Sequence, residues 1–138
     1  NMFKTVLFPI DRSREAREAV DTVTDIVKTY NSRLALLSVV EKEENKTEGE
    51  ESDIMNSPEE VAKLLEGAHA LFAQQGIEAE TIEREGMPSF TICDVADEID
   101  ANLIVIRCRG LGLTQEGANE ILTSRVINLS PCPVLVVP

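Results

Sequence analysis

The chain has 138 residues, 43% hydrophobic and 28% charged, a composition that excludes disorder throughout and supports one domain, residues 2–138. Its net charge of −12, from 25 acidic and 13 basic residues, argues against a nucleic-acid or anionic-membrane partner, because phosphate binding depends on basic surface. No apolar run reaches the roughly 18–20 residues that cross a bilayer, so no membrane partner is expected.

Along the chain, apolar runs of strand length alternate with helical periodicity. Asn1 ahead of Met2 reads as a residue added before the start, and no signal-peptide pattern follows. Phe3–Ile10 (FKTVLFPI) predicts a first strand. A helix follows, with Ser13 as N-cap and Ala16, Ala19, Val20, Val23, Val27 and Tyr30 on one face. Leu34–Val40 (LALLSVV) is a near-continuous apolar run, as in a strand covered on both faces. Residues 41–60 then hold nine acids against two lysines, −7 of the total charge. From 41 to 56 this segment lacks apolar periodicity and reads as a flexible acidic loop. Ser57-Pro58-Glu59-Glu60 supplies an N-cap, a first-turn proline and a capping-box glutamate. The second helix that follows carries Val61, Leu64, Leu65, Ala68, Leu71 and Phe72 inward and closes with Gly76 at C′. Ile77–Arg84 (IEAETIER) alternates strictly, the pattern of a half-exposed edge strand. Gly86-Met87-Pro88 turns into a third helix with Ile92, Val95, Ala96 and Ile99 on one face. Leu103–Ile106 predicts a buried strand, Gln115–Leu129 an amphipathic helix, and Val134–Val137 a last strand.

Five strands alternating with helices build an α/β fold, a parallel sheet with helices on both faces. The alternating third strand belongs at an edge, which gives the order 3-2-1-4-5 and a switch point between strands 1 and 4. Ligands in such folds bind beyond the carboxyl ends of the strands at that point. Asp11-Arg12-Ser13-Arg14 follows strand 1 and contains no glycine, so a dinucleotide fingerprint is absent. Arg107-Cys108-Arg109-Gly110-Leu111-Gly112 follows strand 4, and Gln115 stands where a third glycine would be needed. A phosphoryl-accepting receiver domain is excluded, because Arg84-Glu85-Gly86 follows strand 3 and no lysine follows strand 5.

These segments together resemble the universal stress protein family over the whole chain. FKTVLFPIDRSREAREAV resembles the family's strand-Pro-x-Asp-x-Ser-helix opening, and LALLSVVE its second strand. Gly86-Met87-Pro88 with Ile92 resembles its G-x-P-x3-I turn, and Asn102–Ile106 the segment before its phosphate loop. Ser130-Pro131-Cys132-Pro133 followed by VLVV resembles its C-terminal signature. The resemblance implies a Rossmann-like, adenine-nucleotide-alpha-hydrolase-like fold, a role in stress response, and a homodimer through the last strand. The wholly apolar Val134, Leu135, Val136 and Val137, at a sheet edge, fit that interface on physical grounds, since an exposed apolar edge aggregates unless paired.

ATP-binding members carry G-x2-G-x9-G-[S/T]. Aligned without gaps, this motif falls on Arg107, Gly110, Glu120 and Ile121, of which only Gly110 matches. By position, the resemblance assigns Asp11 to the ribose, the Val39 backbone to adenine and Ile106 to the apolar wall. The base-and-ribose half is therefore kept and the phosphate half is not. Glu120 sets a carboxylate where polyphosphate would lie, and Ile121 removes a hydroxyl donor. The bland reading makes Glu120 a solvated helix residue and Ile121 a core residue. Arg12, Arg14, Arg17, Arg107 and Arg109 gather near the switch point, and Arg12, Arg107 and Arg109 are candidates for binding an anion. Their pairing with Asp11, Glu15, Glu18 or Glu120 is the alternative.

The three cysteines, Cys93, Cys108 and Cys132, form no CxxC pair, which points to reduced thiols and a cytoplasmic location. Cys108 beside two arginines is a candidate thiolate. His69, the one histidine, reads as a surface helix residue, and no metal-ligand spacing or catalytic constellation emerges. Two functions stay open: a regulatory homodimer acting on an unknown protein partner without Mg-ATP, and a switch that holds ATP, ADP, AMP or another anion. Slow ATP hydrolysis is the least supported, and no residue is assigned as catalytic.

Overall fold

The computed structural model describes residues 2–11, 16–41, 57–108 and 116–138. Its five strands are β1 (Thr5–Pro9), β2 (Arg33–Val40), β3 (Glu80–Glu85), β4 (Leu103–Arg107) and β5 (Val134–Val137). They form one parallel sheet in the order β3-β2-β1-β4-β5, with the polar, largely exposed β3 at an edge and the buried β2 inside. Four helices connect them: α1 (Val20–Tyr30), α2 (Pro58–Ala73), α3 (Pro88–Glu98) and α4 (Glu116–Leu129).

The period of two along each strand divides the core. Val6, Phe8, Leu34, Leu36 and Val105 pack against α1 and α2, where Phe8 meets Phe72 edge to face at 6.1 Å. Leu7, Leu37, Val39, Ile104 and Ile106 pack against Ile92, Val95 and Ala96 of α3 and Val126 of α4. Each fully buried Leu, Ile or Phe side chain contributes roughly 1.5–3 kcal/mol of transfer free energy. These central strands therefore anchor the sheet, while β3 is mostly exposed and charged. A bidentate Arg33–Glu80 pair on the surface, one arm at 2.9 Å, ties β2 to the start of β3.

Three helices end in the same way. Ser32, Ile77 and Ala101 donate their N–H groups back to Val27, Phe72 and Ala96 at 2.9, 3.0 and 2.8 Å. Left-handed residues make each reversal: Asn31, Gly76 and Asp100 at φ 51°, 78° and 54°. Gly76 is thus the C′ residue that its position predicted. At the other end of α2, Ser57 accepts from Glu60 N–H, with Pro58 in the first turn.

Several boundaries differ from the sequence reading. The first strand begins at Thr5, because Phe3 takes φ 56° and lays its ring against Tyr30 at 5.1 Å. The first α-helix starts at Val20, after a 3-10 turn over Ala16–Ala19; Ser13 lies outside the described residues. Ile77 and Ala79 are buried beneath α2 and β2 but precede β3, so the alternation there reflects packing of the connection and not strand pairing. In α4, Thr123 and Val126 are buried, whereas Ile121 is 54% exposed and Ile127 and Leu129 also face outward. Ile121 is therefore not a core residue. Positions 42–56 of the acidic segment lie outside the described residues.

Candidate functional site

The two ladders of β1 end at different heights. Pairing with β4 is recorded for Val6↔Leu103 and Leu7↔Ile104, while pairing with β2 continues to Pro9↔Leu37. The strands part beyond that level, and a cleft open to solvent lies at the switch point. Pro9, Ile10 and Asp11 line it from β1, Leu37, Val39 and Glu41 from β2, and Ile106 from β4. Pro88 and Ile92 of α3 and Leu122 of α4 close its other side.

Asp11, Val39 and Ile106, three positions separated widely in sequence, thus share one cleft. Backbone direction adds to this. Ile10 donates its N–H to Leu37 O at 2.8 Å, and Gly86 donates to Val40 O at 3.0 Å. Peptide groups of successive strand residues point to opposite neighbours, so with Val40 turned toward β3, Val39 is turned toward β1, where the ladder ends. Its carbonyl and N–H stand at the edge of the cleft. Asp11 and Glu41 are the two acidic residues of the lining, and the other eight are apolar. Such a slot suits a flat heteroaromatic body with polar edges.

Arg107 is not brought into the cleft. The period of two that turns Ile106 toward α3 and α4 turns Arg107 the opposite way, where its side chain is 8% exposed and Nη2 donates to Pro138 O at 3.4 Å. Arg12, Arg109 and Gly110 lie outside the described residues. Glu41 was missed as a site residue because its charge assigns it to the acidic run. The signal that finds it is alternation, since 37, 39 and 41 share one face of β2.

The remaining chemistry is sparse. Burial pushes the Cys93 thiol up, with Asp94 and Cys132 adding to the effect. Burial also raises Cys132, opposed by the Ser130 hydroxyl. Both are therefore poor thiolates at neutral pH. Cys108 is half-buried and donates its N–H to Val137 O at 2.9 Å. His69 lies on the outer face of α2, with Nε2 at 3.2 Å from Glu78 Oε1. Among the described residues no group of three His, Cys, Asp or Glu side chains could hold a metal ion, and no helix is long and apolar enough to cross a membrane. At the far edge of the sheet, Leu135 and Val136 of β5 are each 37% exposed.

Comparison with known proteins identifies the family and the fold. The model of the universal stress protein family matches residues 2–138. The chain is 67% identical over 137 residues to universal stress protein Sll1654 of Synechocystis, covering 99% of this chain and 87% of that protein. It is 32% identical over 148 residues to universal stress protein YxiE of Bacillus subtilis, covering 99% of both. Among solved structures, a universal stress protein in complex with cAMP superposes with a TM-score of 0.75 at 22% identity, covering 100% of this chain and 99% of that one. A universal stress protein from Archaeoglobus fulgidus in complex with dAMP gives 0.68 at 19% identity, covering 100% of both. At these identities the superpositions establish the shared fold.

Proposed function

Because this chain belongs to the universal stress protein family, we propose that it is a regulatory homodimer whose switch-point cleft holds an adenine nucleotide of low charge rather than Mg-ATP. The observation that carries the reading is the convergence of Asp11, Val39 and Ile106 on one cleft lined mostly by apolar residues. A ribose diol donates to a carboxylate such as Asp11, an adenine edge meets the Val39 peptide, and Ile106 with Leu122 packs on the ring faces. Support also comes from the fold neighbours solved with cAMP and dAMP, both adenine monophosphates.

The phosphate end argues against a triphosphate. Close approach of backbone to an oxyanion needs glycine, and Arg107, Glu120 and Ile121 occupy three of the four motif positions. Arg107, the one described arginine of the anion-binding trio, is held on the other face of the sheet. The dimer is supported by β5, an edge strand with two exposed apolar side chains that a second copy would cover about a two-fold axis. The net charge of −12 favours a protein partner over nucleic acid.

Native mass spectrometry of freshly purified protein tests the reading. The expected spectrum is a dimer that carries AMP-sized adducts or acquires them when AMP is added. A bare dimer that takes up no adenine nucleotide would leave regulation by protein contact alone as the function.

A further inference from the structure

The β2 face that carries Val39 into the cleft carries Glu41 with it. Glu41 follows the last strand residue, is half-buried, and lines the cleft beside Val39's strand. Asp11 reaches the same cleft from β1, so the two carboxylates are held by neighbouring strands. Pro88 and Ile92 across from β2 are apolar and offer a ligand edge no side-chain hydrogen bond. The hydrogen-bonding character of the base end is therefore set by β2: a peptide group at Val39 and a charged acceptor at Glu41.

We infer that Glu41 is a specificity-determining residue of this cleft, accepting a hydrogen bond from the exocyclic amine of a bound purine. The inference rests on the adenine-nucleotide reading above and names which base the site takes. An exocyclic amine carries two hydrogens, and the Val39 carbonyl with the Glu41 carboxylate provides an acceptor for each. A keto purine places carbonyl lone pairs against the same carboxylate, a repulsive contact that costs affinity. Charge-assisted bonds of this kind are stronger than neutral ones, so Glu41 contributes more to the selection than the Val39 carbonyl does.

Titration calorimetry with AMP, inosine monophosphate and purine riboside 5′-monophosphate, which lacks the amine, tests this. The parent binds AMP at least about tenfold more tightly than either analogue. Glu41→Ala weakens AMP by about tenfold or more and leaves purine riboside 5′-monophosphate unchanged, so the preference for AMP narrows to what the Val39 carbonyl alone provides. Glu41→Gln, which keeps an acceptor oxygen and loses the charge, falls between the two. Equal weakening of AMP and the amine-free analogue by Glu41→Ala, or no weakening of either, overturns the inference while the adenine reading stands. GMP binding as tightly as AMP, and lost in Glu41→Ala, overturns it as well, because the carboxylate would then read guanine donors. Failure of the parent to bind any of these nucleotides removes the adenine reading, and the inference with it.

Discussion

Gly86 sits between the end of β3 and the first turn of α3, at φ 155°, a conformation that residues with a Cβ rarely adopt. Its N–H holds Val40 O at 3.0 Å, and a Cβ placed here would lie 2.6 Å from Thr91 Oγ1. Gly86→Ala therefore incurs two costs. Backbone strain in this region is worth about 1–3 kcal/mol. Driving Thr91 from its rotamer adds about 0.5–1.5 kcal/mol. The combined loss, about 1.5–4.5 kcal/mol, corresponds to a fall in melting temperature of roughly 5–15 °C for a chain of this size. Thermal and urea unfolding of Gly86→Ala, Thr91→Ala and the double mutant separate the parts. The double mutant should recover only the rotamer share, because the φ strain has no partner to remove. A Gly86→Ala protein within about 0.5 kcal/mol of the parent, the spread of ordinary surface substitutions, would refute the reasoning. Since Pro88 lines the cleft two residues on, the same variant should also lose affinity for AMP.

At the opposite edge of the sheet, Leu135→Lys puts a charge on the exposed apolar β5 and should convert a dimer to monomer in sedimentation; a monomeric parent, or an unchanged mass in the variant, sinks the interface. Glu120→Gly with Ile121→Ser restores a close-approach glycine and a hydroxyl at the phosphate end. ATP affinity should rise by one to two orders of magnitude, at about 1.5–3 kcal/mol for a hydrogen bond to a charged group, and calorimetry showing no gain would locate the block elsewhere. The Arg33 hydrogen bond lowers the Glu80 pKa. A lowered carboxylate stabilises the fold above its unfolded pKa of about 4.3 and ceases to do so as pH falls through the folded value. The pair is exposed, so the stability difference between parent and Glu80→Gln should be at most about 0.5 kcal/mol at pH 7 and should fade as acid protonates Glu80. A difference that persists in acid would exclude ion pairing as its source.

The sheet order was legible because the third strand is mostly polar and β2 is not, and that order located the switch point after Ile10 and Ile106. Resemblance supplied Val39 and Asp11, and the cleft brings both beside Ile106. What escaped did so for identifiable reasons. Proximity in sequence placed Arg107 with the cleft, yet adjacent strand residues face opposite sides, so the neighbour of a lining residue points away from it. Charge grouped Glu41 with the acidic run, although its strand phase matches Val39. Apolar character made Ile121 a core residue, but α4 packs through Leu122, Thr123 and Val126 and leaves Ile121 outside. Ile77 and Ala79 continued a strand pattern because burial beneath a helix repeats with the same period as pairing.

Calorimetric titration of AMP and of Mg-ATP into the parent and into Asp11→Ala, under one buffer, tests the central claim most directly. The account predicts saturable AMP binding at one site per protomer, weaker binding of Mg-ATP, and loss of AMP affinity by about tenfold or more when Asp11 can no longer accept from the ribose. Mg-ATP binding more tightly than AMP, or AMP binding indifferent to Asp11, would contradict it.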